Sequence, residues 1–260
     1  SEPGKFEMAG SGLKIGQGTN TGLFKAGIES IRIDSISTSV VNKKDGNTIN
    51  IKNISLGGNN FNFDSSDRRH IIRQIRYNPS LYVKNINLAR KNDQYEMAAF
   101  GIGFENAGRQ LSLDSFYYKP VIDRDSFNRM HKFQQDYIQA KTGRIIIREL
   151  DIEKLLADTS FRAAAIEINS PDISIFKDKR LPFDFSTIKP LPTDLLKNLQ
   201  FKVNIDSVLV KNGFIQYSEH NPKTDKIAII DLPHTQGELT NIKNYDLSST
   251  DSLRLRATTR

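Results

Sequence analysis

One phrase recurs three times in this chain: apolar-x-apolar-Asp-Ser-apolar. It stands at Ile31-Arg32-Ile33-Asp34-Ser35-Ile36, Leu111-Ser112-Leu113-Asp114-Ser115-Phe116 and Val203-Asn204-Ile205-Asp206-Ser207-Val208. The apolar residues before each Asp-Ser alternate, which puts them on one face of a pleated strand. The Asp-Ser pair breaks the alternation, as a bulge or kink does. A repeated strand-plus-kink unit predicts stacked β-modules rather than a compact enzyme core.

Alternation dominates elsewhere too. It predicts strands over 28–41, 48–56, 81–89, 97–104, 111–118, 144–150, 163–168, 173–176, 202–210, 213–219 and 227–232, and Leu253 to Arg260 alternates like an unfinished strand. Asp45-Gly46 and Asn212-Gly213 read as hairpin turns, and Asn106-Ala107-Gly108 as a third turn. Gly12, Gly16, Gly18 and Gly22 read as turns between strands. Helices are few. Asp123 or Asp125 caps one expected to run to about Gln139, with Phe127, Met130, Phe133, Tyr137 and Ile138 as its apolar face. Shorter ones are expected after Asp67, carrying Ile71, Ile72 and Ile75, over Ile152 to Ala157, and from Thr193 to Leu199. The prolines Pro182, Pro190 and Pro192 predict an extended surface crossing.

The expected fold is therefore mainly β: elongated, curved antiparallel sheets of repeated strand modules with a few short helices. The whole of 1–260 reads as one elongated module. It has a softer subdivision into an N-terminal part, 1–170, with the helix near 124–139, and a C-terminal β segment, 171–260. Both ends look cut, which suggests a piece of a longer protein. Hydrophobic content is 37%, at the low end for a globular protein, so the core is expected to be thin and spread out.

The site chemistry is sparse. There are no cysteines, which excludes disulfides, thiolate catalysis and thiolate zinc sites. The histidines are His70, His131, His220 and His234, and Glu219-His220 with His234 matches no common metal-ligand spacing. Capping and turn roles account for Asp123 with Asp125 and for Asp178 with Asp184 better than acid-base work does. No nucleophile elbow, phosphate loop or dinucleotide fingerprint is present. The expectation is a protein that is not an enzyme and takes no cofactor. The net charge of +7 admits an anionic partner. Its charges are interspersed, and no nucleic-acid-binding motif accompanies them, so nucleic acid is not an expected partner.

The stretch from Ile173 to about Asn244 resembles the AsmA-like family of bacterial envelope proteins. The likeness rests on Ile173-Ser174-Ile175-Phe176-Lys177-Asp178-Lys179-Arg180-Leu181-Pro182, then Leu191-Pro192 and a short helix. It continues through Ile205-Asp206-Ser207-Val208, Asn212-Gly213, Ile215-Gln216-Tyr217-Ser218-Glu219 and Leu239-Thr240-Asn241-Ile242. Looser likeness precedes it at Tyr117-Tyr118-Lys119-Pro120 and Asp151-Ile152-Glu153-Lys154-Leu155-Leu156. The resemblance implies a periplasmic protein anchored in the inner membrane by an N-terminal helix. It also implies β repeats forming a taco-like groove, a part in phospholipid movement or outer-membrane assembly, and no catalytic residues to carry over.

The expected function is lipid binding or guiding along an apolar sheet face. Ile31, Ile33, Leu111, Leu113, Val203 and Ile205 are the candidate contacts for phospholipid acyl chains. The main rival is a structural scaffold whose strand edges pair with other envelope proteins or with further repeats of its own chain. A carbohydrate-binding module is a third reading, disfavoured by the absence of tryptophan.

Overall fold

A computed structural model describes residues 7–16, 25–41, 48–64, 78–92, 94–186, 191–248 and 252–259. The alternating segments become strands: β1 (Glu7–Gly16), β2 (Lys25–Val41), β3 (Thr48–Asp64), β4 (Tyr82–Lys91), β5 (Tyr95–Glu105), β6 (Gln110–Leu113) and β7 (Ser115–Pro120). They continue as β8 (Asp136–Thr142), β9 (Ile145–Arg148), β10 (Ser160–Asn169), β11 (Asp172–Asp178), β12 (Lys202–Asn221), β13 (Lys226–Lys243) and β14 (Arg254–Thr258). Among the described residues three short helices interrupt them: α1 (Arg124–Met130), α2 (Ile152–Asp158) and α3 (Pro192–Lys197). The chain is mainly β, as the alternation predicts.

All the strands join one sheet. Its order is simpler than the strand count suggests. β5 pairs with β6 through Gly103↔Ser112 and with β7 through Phe100↔Ser115, so β6 and β7 are the two halves of one kinked strand. The same holds for β8 with β9 and for β10 with β11, because β9 pairs with β10 while β8 pairs with β11. Long β12 runs beside both β10 and β11. Counted this way, neighbours in space are neighbours in sequence. Every pairing is antiparallel except β12 with β10 and β11, which is parallel. A parallel return cannot be made by a tight turn. The proline-containing passage and α3 supply the longer connection between β11 and β12.

The kinks are aligned. Between Ile33↔Leu56 and Ile36↔Ile54, β2 gains one residue on β3, and it gives the residue back by Thr38↔Ile51. The same excursion occurs between β4 and β5 around Ile86↔Ile102, and between β12 and β13 around Gly213↔Thr235. Residues with positive φ mark the spots: Asn85 (61°), Gly101 (62°), Asn212 (51°) and His234 (49°). Glycine and asparagine tolerate this left-handed backbone best. Hydrogen bonds tie neighbouring kinks together: Asp114 N–H to the Phe100 carbonyl, Gly143 N–H to Asn169, and Ser170 N–H to Lys211. The His234 ring nitrogen Nδ1 lies 3.1 Å from Asn212 Oδ1. A crease therefore crosses the sheet. Bulges increase local twist and bend, so the sheet curves.

The recurring Asp-Ser phrase meets this crease twice. Asp34-Ser35 lies in the β2 excursion, and Asp114-Ser115 is the break between β6 and β7. The third copy lies elsewhere. Asp206-Ser207 sits in unbroken register between Ile205↔Ile242 and Ser207↔Thr240, several residues before the crease at Asn212. Alternation still skips there, because Val203, Ile205 and Val208 pack into one cluster. Asn241, between the partners of those two pairs, has φ 61°.

Several local expectations are corrected. Asn212-Gly213 is a bulge inside continuous β12, not a hairpin turn: the left-handed residue bends the strand without reversing it. Gly12 and Gly16 lie in β1, where backbone pairing to β2 carries the strand. The helix capped by Asp123 stops at Met130, with His131 extended at φ −107°. Tyr137 and Ile138 belong to β8 instead, opposite Phe176 and Ile175. Their apparent helical spacing arises because α1 folds back on this strand, with Phe127 edge-on to Tyr137 at 5.3 Å. α3 begins at Pro192, and its N-cap position is Leu191 rather than Thr193. The Asp45-Gly46 turn, the segment after Asp67, and Gly18 and Gly22 lie outside the described residues.

Among the described residues the buried apolar set is small: Phe61, Ala98, Ala99, Phe104, Phe127, Leu150, Ala163, Phe176, Val203, Ile205 and Ile242. These are scattered along the sheet. Such a core suits a curved sheet better than a closed globule.

Candidate functional site

Register brings together what the sequence keeps apart. On one side of the crease, Ile33 pairs with Leu56, Leu56 with Val83, Val83 with Phe104 and Phe104 with Leu111. The line continues from Leu111 to Ile147, Ile166, Val208, Leu239 and Leu255. Directly paired residues point to the same face of a sheet. An unbroken apolar row thus crosses the sheet from β2 to β14. Phe104 is buried and Leu255 is 71% exposed, while the residues between them are half-buried.

The alternate positions face the other way and are largely polar. Arg32, Gly57, Tyr82, Glu105 and Gln110 form one such line by register. Glu167 binds Lys211 at 2.9 Å and lies 3.9 Å from Arg148 on this side, and Lys84 meets Glu105 at 3.0 Å. Hydrogen bonds from Lys211 and Asn169 hold the Glu167 carboxyl below its ordinary range. The sheet is amphipathic, with one apolar and one charged face.

The six candidate contacts fall into two groups. Ile33 and Leu111 belong to the row, Leu113 opens the adjacent line through Ile145, Ile168 and Val210, and Ile31 lies opposite Gly58. These four are half-buried. Val203 and Ile205 are 5% and 7% exposed, in a cluster with Ile242 that Leu196 of α3 and Leu253 cover. That pair is packed core. The residues that sequence reasoning misses are Leu56, Val83, Phe104, Ile147, Ile166, Val208, Leu239 and Leu255. Each sits in an alternating stretch, but only the cross-strand register shows that they line up.

Two of the phrases that carry the family resemblance, Ile173 to Pro182 and Ile215 to Glu219, meet at the far end of β11 and β12. Asp178 is buried, and Arg180 grips it through Nε at 2.9 Å and a terminal nitrogen at 2.7 Å. That grip holds the Asp178 carboxyl below the usual carboxylate range. Lys179 binds Glu219 at 2.6 Å, and the Tyr217 hydroxyl donates to the same carboxylate at 3.1 Å. The hydrogen bond from Lys179 lowers the Glu219 carboxyl, and burial raises the Tyr217 phenol. His220 contacts Asp225 at 2.7 Å. These are pairing contacts that fix the end of the crossover. Among the described residues no group of three metal-ligating side chains converges, and no helix is long and apolar enough to cross a membrane.

No family model, curated protein or solved structure matches this chain.

Proposed function

We propose that this chain is a non-enzymatic lipid-binding module of the bacterial cell envelope, of AsmA-like kind, working in the periplasm within an inner-membrane-anchored parent protein. The observation that carries the reading is the apolar row from Ile33 to Leu255, half-buried at all its positions but Phe104 and Leu255 and backed by a charged face. At about 4.8 Å between strands the row is about 43 Å long. One leaflet of a bilayer core is about 15 Å deep, so the row has room for more than one acyl chain laid end to end. Burying about eight methylenes at roughly 0.8 kcal/mol each gives about 6 kcal/mol, which corresponds to a Kd of tens of micromolar. That strength suits guiding a lipid better than storing it.

The test is native mass spectrometry of the purified chain with lipid extraction from the same sample. Co-purifying phospholipid is expected, and Ile33→Asp and Leu111→Asp, at half-buried positions, should lose it while keeping the parent's circular dichroism. A chain that stays lipid-free after incubation with phospholipid vesicles would refute the reading.

One observation favours a scaffold role as the second reading. Among the described residues β14 covers β13 only from Gln236 to Thr240, and below it Ile227, Ile229, Ile230 and Leu232 are all exposed. An apolar strand edge of this kind is a template for a further strand. A lipid-free chain that associates through this edge, and loses the association in Ile229→Lys, would favour it.

A further inference from the structure

The charged face carries a feature that the lipid reading does not use. Near the start of β12, residues from three strands form a small lattice. Arg162, Asn204 and Lys243 are paired across β10, β12 and β13. Lys202 stands two residues before Asn204, with its ammonium 5.3 Å from the centroid of the Tyr245 ring. Phe161, Val203 and Ile242, the residues beside these in sequence, pack into the apolar cluster, so the lattice faces away from it. Lys154 and Asp158 of α2 wall one side, and together these groups line a cleft of about 620 Å³.

Charge in the cleft is unbalanced: Lys154, Arg162, Lys202 and Lys243 stand against Asp158 and Asp246. Lys154 is 3.4 Å from Asp158, and Lys243 Nζ donates to the Asp246 carbonyl at 2.8 Å. The Arg162 guanidinium has no hydrogen-bond or ion-pair partner among the described residues, and Lys202 has only the Tyr245 ring. Two cations without counter-ions thus stand diagonally across neighbouring strands, with the Asn204 amide beside them. Guanidinium and ammonium groups placed this way suit the tetrahedral oxygens of a phosphate, the first as a planar fork and the second as a point charge.

We propose that this cleft binds a phosphate group, held mainly by Arg162 and Lys202. The phosphate is that of a soluble phosphate ester or of an anionic lipid headgroup. The site stands independently of the lipid reading, because none of its residues belongs to the apolar row.

The full chain is titrated with glycerol 1-phosphate by calorimetry at low ionic strength. A second arm measures co-sedimentation with phosphatidylglycerol vesicles against phosphatidylcholine vesicles. Saturable binding is expected in at least one arm, weakened about tenfold or more in Arg162→Gln and in Lys202→Gln. Both positions are exposed, so the variants should melt like the parent. Lys223→Gln, at an exposed lysine in the turn between β12 and β13, should leave binding unchanged. Binding in the first arm assigns a soluble ester, and binding to phosphatidylglycerol vesicles alone assigns a headgroup. Absence of binding in both arms overturns the site. So does an equal loss in Lys223→Gln, which would mean diffuse attraction by net charge. Ile33→Asp should not change the glycerol 1-phosphate arm, which separates failure of this site from failure of the apolar row.

Discussion

Gly101 is the sharpest place to test the crease. Its φ of 62° lies where a side chain is strained, and a Cβ there would stand 2.1 Å from Asp114 Oδ2 and 2.7 Å from Asp114 Cγ. Turning the carboxylate away does not clear the space, because Asp114 Cβ would still be 3.1 Å off. Gly101→Ala therefore carries two costs. The left-handed backbone costs about 1–2 kcal/mol and the overpacking about 1–3 kcal/mol, for a total of about 2–5 kcal/mol. In a chain of this size that lowers Tm by about 4–20 °C. Removing the obstacle separates the two: in an Asp114→Gly background, Gly101→Ala should retain only the backbone cost of about 1–2 kcal/mol. Urea denaturation of the four proteins, with a common m-value, provides the cycle. If Gly101→Ala is as stable as the parent, or costs the same with and without Asp114, then β5 and β6/β7 do not meet at this kink and the aligned crease is wrong.

The two groups of candidate contacts should separate by stability. Ile205→Ala, in the covered cluster, should cost about 2–5 kcal/mol, whereas Ile33→Ala, half-buried in the row, should cost less than about 1.5 kcal/mol; chemical denaturation reads both. Asp178 gives a pH signature. Its folded pKa is depressed by Arg180, so its contribution is present above the unfolded carboxylate value of about 3.9 and is lost as pH falls through the lower folded value. Asp178→Asn should thus be less stable than the parent at neutral pH, and the gap should narrow in acid below about pH 4. A gap that is constant with pH would show that the carboxylate charge is not what Arg180 stabilises.

The fold was legible wherever physics acts along a single strand. Period-two alternation found β2, β4, β5, β10 and the first half of β12, because each has one face toward apolar neighbours. Signals with two structural meanings mislead. Asn212-Gly213 advertises left-handed backbone, which serves a bulge as well as a turn. Phe127 and Tyr137 do meet, but across a helix-to-strand packing rather than along one helix. β8 and β1 read as helix and turns for different reasons: Ile138 and Ala140 alternate with Tyr137 and Gln139 too weakly for a strand, and β1 is rich in glycine. The site was half legible. Ile33 and Leu111 could be picked as apolar-face residues, yet their membership of one line depends on pairings through β3, β4 and β5. Val203 and Ile205 carry the same local phrase as Ile31 and Ile33. Contacts from Ile242, from Leu196 of α3 and from Leu253 make them core.

Because spatial order repeats sequence order, each strand touches little beyond the strands on either side of it. Cooperativity in such a sheet passes from neighbour to neighbour, as in a repeat protein, rather than through a shared centre. Damage in β3 reaches β13 only by way of every strand between them. Opening should begin at an edge, where among the described residues β14 rests on β13 alone. The parallel seam between β11 and β12 is a different kind of joint, since it forms only after the long connection through α3 has closed and the entropy of that loop has been spent. By its pairings the chain is two antiparallel meanders joined along one parallel seam, where β12 runs beside β10 and β11.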